Sequence, residues 1–332
     1  MSKRKKFLSI VLVSILLLVF NVALCSCVSN ENGYHGEDGV HAILFRNSEE
    51  AIVYAFDKDP NTDRYEGQTC IVPSTIVDGN TTYTVTAFGY YDYFARELVK
   101  GGGHAVEIVI PETVTEIYLD GYPLSDTFDY LERFSVDLDN PQFTSVDGVL
   151  YNKDCSTLLM YPPAKKDTTW IMPRQLSEID RAQYNYCNKY LENIEVEDGN
   201  DHFSVIDNAL YSADAKTLVF VPAGHGENLA LPDGISTIDY CALRYANIVN
   251  LYVPQHIWKD EENDYQLLMN IIYDKEANLS DFHPFRYVAN IYFYDEELPM
   301  FLSDVNLPYT EFHFGVTRDS FWEIVSGSAQ QD

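Results

Sequence analysis

The stretch Asp57–Asp63 offers the residue types best suited to chemistry, because alternating side-chain oxygens in a short loop can surround a calcium ion. A complete calcium loop also needs Gly at its sixth position and Glu at its twelfth. Those positions hold Thr62 and Gln68, and Pro60 restricts the backbone. We therefore expect a solvated acidic turn between strands here, with bound calcium as the alternative.

The rest of the sequence lacks the spacing of a metal-binding or catalytic motif. No two of its eight histidines have helical ligand spacing with a carboxylate nearby, and no G-x-S-x-G elbow is present. Gly101–Gly103 precedes a predicted strand instead of a helix, so it predicts a flexible loop and not a phosphate cradle. We expect neither catalysis nor a cofactor or metal. A hydrolase is the alternative, and it would need a carboxylate pair in a cleft.

The N-terminus has the pattern of an export signal. A basic cluster, Lys3–Lys6, is followed by the apolar run Phe7–Leu24, for which an uncleaved membrane anchor is the competing interpretation. The sequence Leu24-Cys25-Ser26-Cys27 resembles the lipobox of bacterial lipoproteins. That resemblance implies that residues 1–26 form a signal peptide and that the thiol of Cys27 becomes lipidated at the new N-terminus.

The charge of the chain limits its partners. Of its 332 residues, 22 are basic and 51 are acidic, and removal of a leader with four basic and no acidic residues leaves a net charge of −33. Such a surface repels phosphate backbones and anionic lipid headgroups. We therefore predict no nucleic-acid partner, and membrane contact through the lipid anchor alone.

Four cysteines follow Cys27, at positions 70, 155, 187 and 241. Because they are scattered singly, they indicate neither a zinc ribbon nor a dense disulfide framework. We expect Cys70, Cys155, Cys187 and Cys241 to be mostly buried free thiols, with one disulfide of unassigned pairing as the alternative.

A repeat organises the centre of the chain. Residues 130–163 align without a gap onto 190–223, with 13 of 34 positions identical. A constant period with apolar residues in register is typical of stacked units that each bury their faces against neighbours. On this pattern we expect buried side chains at Tyr151, Tyr211 and Tyr184.

A second pattern recurs along the same region, an apolar residue and Pro with apolar residues three and six positions later. It occurs at Ile110-Pro111, Met172-Pro173 and Leu231-Pro232, and each coil closes on an apolar-x-apolar strand such as Ile194-Glu195-Val196. This arrangement over about residues 65–255 resembles the BspA-type leucine-rich repeat of bacterial surface proteins, and Phe143–Asp154 resembles the hairpin that those proteins insert between coils. The resemblance implies a right-handed, β-rich leucine-rich-repeat solenoid with short strands on one face, inserted β-hairpins and few short helices.

The predicted domain boundaries follow from these patterns. Residues 27–50 are polar and glycine-containing and predict a tether. A single solenoid is predicted over 51–325, with divergent coils and a cap from about residue 255, and a disordered tail over 326–332.

The candidate binding residues come from strand alternation. The central side chain of each apolar-x-apolar strand should point away from the core. Ser135, Glu195, Tyr252 and Tyr292 hold this position, with His313 as a further candidate. Stacking would align them as a stripe, with exposed tyrosines toward the C-terminal end, although solvated sheet residues without a ligand would give the same pattern.

These features together predict an exported, lipid-anchored binding protein on a bacterial cell surface. The family resemblance implies an adhesin-like role toward host or extracellular-matrix proteins or other cells. The alternative is a glycan-binding accessory lipoprotein of a polysaccharide-uptake system, which tyrosine pairs spaced for sugar stacking would favour. We expect the protein to be a monomer.

Overall fold

The structure, a computed structural model, describes residues 33–37, 39–56, 67–89, 105–118, 130–180, 188, 190–239, 242–243, 246–254, 288–296 and 311–327. The chain divides into two compact units, which we describe separately. Unit 1 comprises Met1–Tyr130 and Phe134–Thr144, and unit 2 comprises Leu131–Arg133 and Ser145–Asp332.

Several predicted features lie outside the described residues. They are the leader 1–26, the lipidation site Cys27, the acidic loop Asp57–Asp63, the residues Tyr184, Cys187 and Cys241, and the tail from residue 328. Within the described chain, Cys70 and Cys155 are free thiols. Burial raises the pKa of the Cys70 thiol to about 12, so this thiol is held in its unreactive, protonated form.

The described residues of unit 1 form two sheets, whose strands are rich in β-branched and aromatic residues. The larger sheet has the order β1-β2-β3-β6-β5, with β8 pairing with β6, and the smaller has the order β4-β7-β9. The strands are β1 (Gly33–His35), β2 (Val40–Phe45), β3 (Glu50–Phe56), β4 (Gln68–Ile71), β5 (Thr75–Asp78), β6 (Thr81–Phe88), β7 (Ala105–Ile110), β8 (Glu116–Ile117) and β9 (Arg133–Val136).

The N-terminal strands correct the predicted tether over 27–50. From Gly33 onward this segment is part of the larger sheet, because β1 and β2 pair antiparallel and β2 pairs antiparallel with β3. Ala42 and Leu44 are 0% and 3% exposed. The run Val40–Phe45 buries apolar side chains that a solvated tether would leave in water, so the folded domain begins well before residue 51.

Unit 2 contains the repeat, and its two copies form the same elements. Each copy has an inserted hairpin, a third strand antiparallel to it and a short parallel strand, in the sheets β10-β11-β12-β14 and β16-β17-β18-β20. These strands are β10 (Phe143–Val146), β11 (Val149–Asn152), β12 (Thr157–Met160), β13 (Thr169–Met172), β14 (Glu178–Ile179), β15 (Asn193–Val196), β16 (Phe203–Ile206), β17 (Ala209–Ser212), β18 (Thr217–Phe220), β19 (Asn228–Ala230) and β20 (Thr237–Ile238).

The turns of the two inserted hairpins accept different residues at one position, Gly148 in the first copy and Asn208 in the second. Asp147 and Gly148 have φ of 49° and 81°, and Asp207 and Asn208 have φ of 48° and 60°. Two central residues with positive φ are typical of the tight hairpin turn that matches strand twist, and Asn tolerates this region better than most residues. Asn208 also accepts a hydrogen bond from the Ile194 backbone N–H at 3.1 Å.

The C-terminal part of unit 2 continues the parallel stack. β21 (Asn250–Val253), β22 (Asn290–Phe293) and β23 (Glu311–His313) extend the sheet in the order β19-β21-β22-β23. Two of these strands, β22 and β23, lie in the region beyond residue 255 where divergent coils are predicted. A helix, α1 (Arg318–Val325), follows β23 and was not predicted.

Alternation along the strands places the core of unit 2 on one side of the parallel stack. Trp170, Met172, Leu229, Leu251 and Ile291 point inward and are at most 4% exposed. Tyr151 and Tyr211 are 1% and 0% exposed, as predicted. In each coil a short strand occupies the same place and pairs in parallel with its neighbour, and β-hairpins are inserted between coils. This arrangement is a β-rich leucine-rich-repeat fold.

Candidate binding face

The outward positions of the parallel strands are the candidate site, and the structure places the predicted residues in different surroundings. Ser135 is in unit 1, whereas Glu195, Tyr252 and Tyr292 are in unit 2. Ser135 is half-buried and donates a hydrogen bond to a Glu107 carboxylate oxygen at 2.6 Å. Its hydroxyl is therefore engaged within the sheet.

Tyr252 and Tyr292 are not exposed, which corrects the prediction. They lie opposite each other in register on neighbouring strands, as expected, but they are 2% and 6% exposed. The rings pack against Phe321 of α1, with centroid distances of 5.7 Å and 5.3 Å. Alternation does point these side chains out of the core, but α1 covers them.

Burial also changes the chemistry of these two phenols. Removal from water raises the pKa of both Tyr252 and Tyr292 above the ordinary tyrosine value. Tyr292 is further enclosed by His313, whose ring stacks on it at 4.4 Å between centroids. The pair is a packed aromatic cluster and not a free stacking platform.

Helix α1 is held by a cap, an apolar anchor and a cation. Thr317 and Ser320 form a capping box, in which the Thr317 hydroxyl accepts from the Ser320 backbone N–H at 3.1 Å. Phe321 is 0% exposed. Arg318 reaches an Asp207 carboxylate oxygen and the Ala230 carbonyl oxygen, each at 3.4 Å.

A second outward row in this sheet is a ladder of asparagine side chains. The Asn250 amide donates to the Asn228 side-chain oxygen at 2.7 Å, and the Asn290 amide donates to the Asn250 side-chain oxygen at 2.8 Å. His313 ends the ladder, with its Nε2 3.1 Å from the Asn290 side-chain oxygen. Side chains that bond along the stack fix the register of the strands.

The outward face of β13 and β15 is open. Glu195 is exposed, as predicted, and lies opposite Ile171, which is 56% exposed. Within the described residues, the Glu195 carboxylate has no ion-pair or hydrogen-bonding partner. Ile171 was not among the predicted site residues, although alternation along Thr169–Met172 points its side chain outward, as it does that of Glu195.

The charged groups around this face are mostly paired among themselves. Lys165 pairs with Asp167 and also donates to the Asp147 carbonyl oxygen at 2.6 Å, and Lys166 pairs with Glu132. The Lys166–Glu132 pair is exposed and contributes little to stability, whereas the Lys165 side chain is largely buried beside the exposed Asp167. The Asp147 and Glu195 carboxylates remain available at the edge and centre of the face.

The described part of the chain offers no cluster of three or more metal-ligating side chains. It also provides no helical segment with the length and apolarity that a membrane span requires. The face of β13 and β15 therefore has the chemistry of a binding surface, because it presents one aliphatic side chain flanked by carboxylates.

Comparisons with known proteins place the chain near solved leucine-rich-repeat structures at low similarity. No protein-family model matches the chain, and a search of curated proteins finds no match. A leucine-rich repeat protein from Eubacterium ventriosum aligns with 15% identity and a TM-score of 0.37, over 82% of this chain and 98% of that one.

Two further structures align at similar levels. A leucine-rich repeat protein from Bacteroides ovatus gives 11% identity and a TM-score of 0.32, over 86% of this chain and 80% of that one. The pneumococcal vaccine antigen PcpA gives 13% identity and a TM-score of 0.30, over 86% of this chain and 98% of that one. The fold assignment itself rests on the strand pairing and the repeat described above.

Proposed function

We propose that this protein is a lipid-anchored, adhesin-like binding protein of a bacterial cell surface, and that the outward face of β13 and β15 contacts a protein partner. The observation that carries the proposal is the juxtaposition of Ile171, 56% exposed, with the exposed carboxylate of Glu195 on paired parallel strands. An aliphatic side chain beside an unpaired charge contributes contact area and electrostatic selectivity together.

The glycan-binding alternative is less well supported. Exposed tyrosines spaced for stacking on sugar rings would favour it, but Tyr252 and Tyr292 are both buried beneath α1. A face built from an isoleucine and a glutamate instead suits a protein surface with apolar and basic groups. The strongly acidic composition, with a formal net charge of −29, would favour encounter with basic partners.

A binding array of extracellular-matrix proteins and glycans tests this function. Wild type should bind a protein spot, and both Ile171→Asp and Glu195→Lys should weaken that binding at least about tenfold. Val77→Asp is the matched control, because Val77 is 60% exposed on a strand of unit 1. Wild-type binding to glycans alone, or unchanged binding by both face variants, would refute the proposed site.

The lipid anchor is a separate part of the proposal, supported by the lipobox-like sequence Leu24–Cys27. Mass spectrometry of the mature N-terminus should find residue Cys27 first in the chain and carrying diacylglycerol. An intact leader or an unmodified Cys27 thiol would contradict the anchor, while leaving the binding face untouched.

A further inference from the structure

Each inserted hairpin is followed by an outward face of two parallel strands, the first face on β13 and β15 and the second face on β19 and β21, and among the described residues a helix covers only the second. β13 pairs with β15 in parallel as β19 pairs with β21, so Ile171 corresponds to Ala230 and Glu195 corresponds to Tyr252. The backbone confirms this alignment. The Thr168 carbonyl accepts two N–H groups from the start of β15, and the Glu227 carbonyl accepts two from the start of β21.

The second face shows what kind of element this surface accepts. There α1 lies over Ala230 and Tyr252, which are 1% and 2% exposed, with Phe321 as the buried anchor. One helical turn earlier, Arg318 reaches the Asp207 carboxylate and the Ala230 carbonyl. The docking element is therefore a short helix with an aromatic anchor and a cation three residues before it.

The first face keeps the acidic and backbone groups that Arg318 contacts on the second, and no described helix lies over it, but its two-stranded sheet has no described counterpart of Tyr292. Asp147 corresponds to Asp207 in the hairpin turn, with nearly the same φ, and the Ile171 carbonyl takes the place of the Ala230 carbonyl. The Asp147 carboxylate is exposed and has no hydrogen-bonding or ion-pair partner within the described residues. Ile171 is left largely in water, which is costly for an aliphatic side chain.

We propose that the face of Ile171, Glu195 and Asp147 binds a cationic amphipathic helix of a partner protein. This inference rests on the proposed function and specifies its partner. The partner helix would place an apolar residue over Ile171 and an Arg or Lys against Asp147, as α1 places Phe321 and Arg318 on the second face. It would also need a second cation, because the covered Tyr252 of the second face is replaced by the charged Glu195 on the first.

Charge argues against a second copy of this chain as the occupant. Helix α1 carries Asp319 and Glu323 beside its single Arg318, and it has no cation to place against Glu195. A helix with a net negative charge is repelled by an acidic face when the contact excludes water. A separate basic segment fits the surface better.

A synthetic helix provides a defined probe. The peptide spans residues 315–327, with a hydrocarbon staple joining positions 319 and 323, which are exposed and four residues apart on α1. The staple holds the peptide in a helical conformation, and it replaces the two acidic side chains of Asp319 and Glu323. Val325→Lys supplies the second cation one turn after Phe321, on the side of α1 that packs against the sheet. Fluorescence anisotropy of the labelled peptide is measured against the full folded protein.

We expect saturable binding to wild type, weakened at least about tenfold by Ile171→Asp and by Glu195→Lys, and unchanged by Val77→Asp. A stapled peptide with Glu at both cationic positions, 318 and 325, should bind at least about tenfold more weakly than the cationic one. Binding that survives both face variants, or that ignores the peptide's charge, would overturn the inference. So would tighter binding of the unmodified α1 sequence, which would assign the face to a second copy.

These experiments distinguish failure of the proposed function from failure of the helical-partner proposal. If array binding depends on Ile171 but the cationic helix does not bind, the function stands and the helical partner is wrong. If the helix binds through Ile171 while no array spot does, the face is assigned and the matrix-binding role is wrong.

Discussion

Ile171 and Ala230 hold the same position in the strand pairs that follow the two inserted hairpins, yet Ile171 is 56% exposed and Ala230 is 1% exposed. The difference arises from α1, which covers the second face and not the first. A repeat normally presents equivalent surfaces in successive units, and an added terminal element breaks that equivalence. In this protein the break leaves one face covered by the chain itself and one face available.

Replacement of Phe321 by Ala should release α1 from the sheet. Phe321 is fully buried between Tyr252 and Tyr292, and truncation of a buried Phe typically costs about 3–5 kcal/mol. An eight-residue helix is not stable without its packing, so we expect undocking before global unfolding. Hydrogen exchange of residues 318–325 should accelerate strongly, whereas Ile324→Ala, at a 41% exposed site on the same helix, should change it little. Equal protection in both variants would show that Phe321 is not the anchor.

Asn188 should be among the most sensitive polar residues of unit 2. It is 0% exposed, and its amide donates to the Pro162 and Lys165 carbonyls while its side-chain oxygen accepts from two backbone N–H groups. Asn188→Ala leaves these buried groups unpaired, and we expect a loss of about 2–4 kcal/mol in the free energy of unfolding. Chemical denaturation measures it. The exposed Gln175→Ala is the control, and similar losses in the two variants would contradict this role for Asn188.

Gly148 should not tolerate a side chain. It has φ of +81°, and an added Cβ would lie 2.6 Å from the Arg133 Cβ. We expect Gly148→Ala to lower the midpoint of denaturation, with a cost of about 1–3 kcal/mol from backbone strain and collision. Gly234→Ala should be close to neutral, because Gly234 lacks positive φ and a Cβ there would meet nothing within 4 Å. A neutral Gly148→Ala would mean that the hairpin turn differs from the structure.

His225 should make the stability of unit 2 pH-dependent. Burial lowers the pKa of His225 below its ordinary value, and the nearby Asp207 charge opposes this only in part. Because the folded-state pKa lies below the unfolded one, the unfolded chain binds more protons between them. This contribution to stability is therefore fully present above about pH 6.5 and is lost as pH falls toward the folded-state pKa.

Denaturation of wild type and His225→Gln at pH 7.5 and pH 5 tests this dependence. Wild type should lose more stability than the variant on acidification, and His202→Gln, at an exposed site, should follow wild type. If wild type and His225→Gln respond identically to pH, His225 does not titrate as its burial requires.

The repeat and the buried Tyr151 and Tyr211 could be predicted from the sequence because they depend on local pattern, whereas the inserted hairpins were implied by the family resemblance. A fixed period and strand alternation follow from backbone geometry and can be deduced from one sequence. The tolerance of the turn for Asn208 in place of Gly148 was predictable for the same reason, and both residues have positive φ.

The parts that the sequence analysis missed depend on tertiary contacts. Alternation correctly pointed Tyr252 out of the core, but it carries no information on whether a distant segment covers that position. The signal for α1 was present in the capping pair Thr317 and Ser320 followed by Phe321. The apolar run in Val40–Phe45 likewise indicated a strand, and the polar composition of the surrounding residues obscured it.

The central claim is that the first face is open and the equivalent second face is closed, and thiol labelling measures this most directly. Ile171→Cys and Ala230→Cys proteins are exposed to a maleimide, and the modification rate of each site is followed by peptide-resolved mass spectrometry. We predict fast labelling at position 171, slow labelling at position 230, and faster labelling at 230 when Phe321→Ala is added. Equal rates at the two positions, or faster labelling at 230 in the otherwise wild-type chain, would contradict the claim.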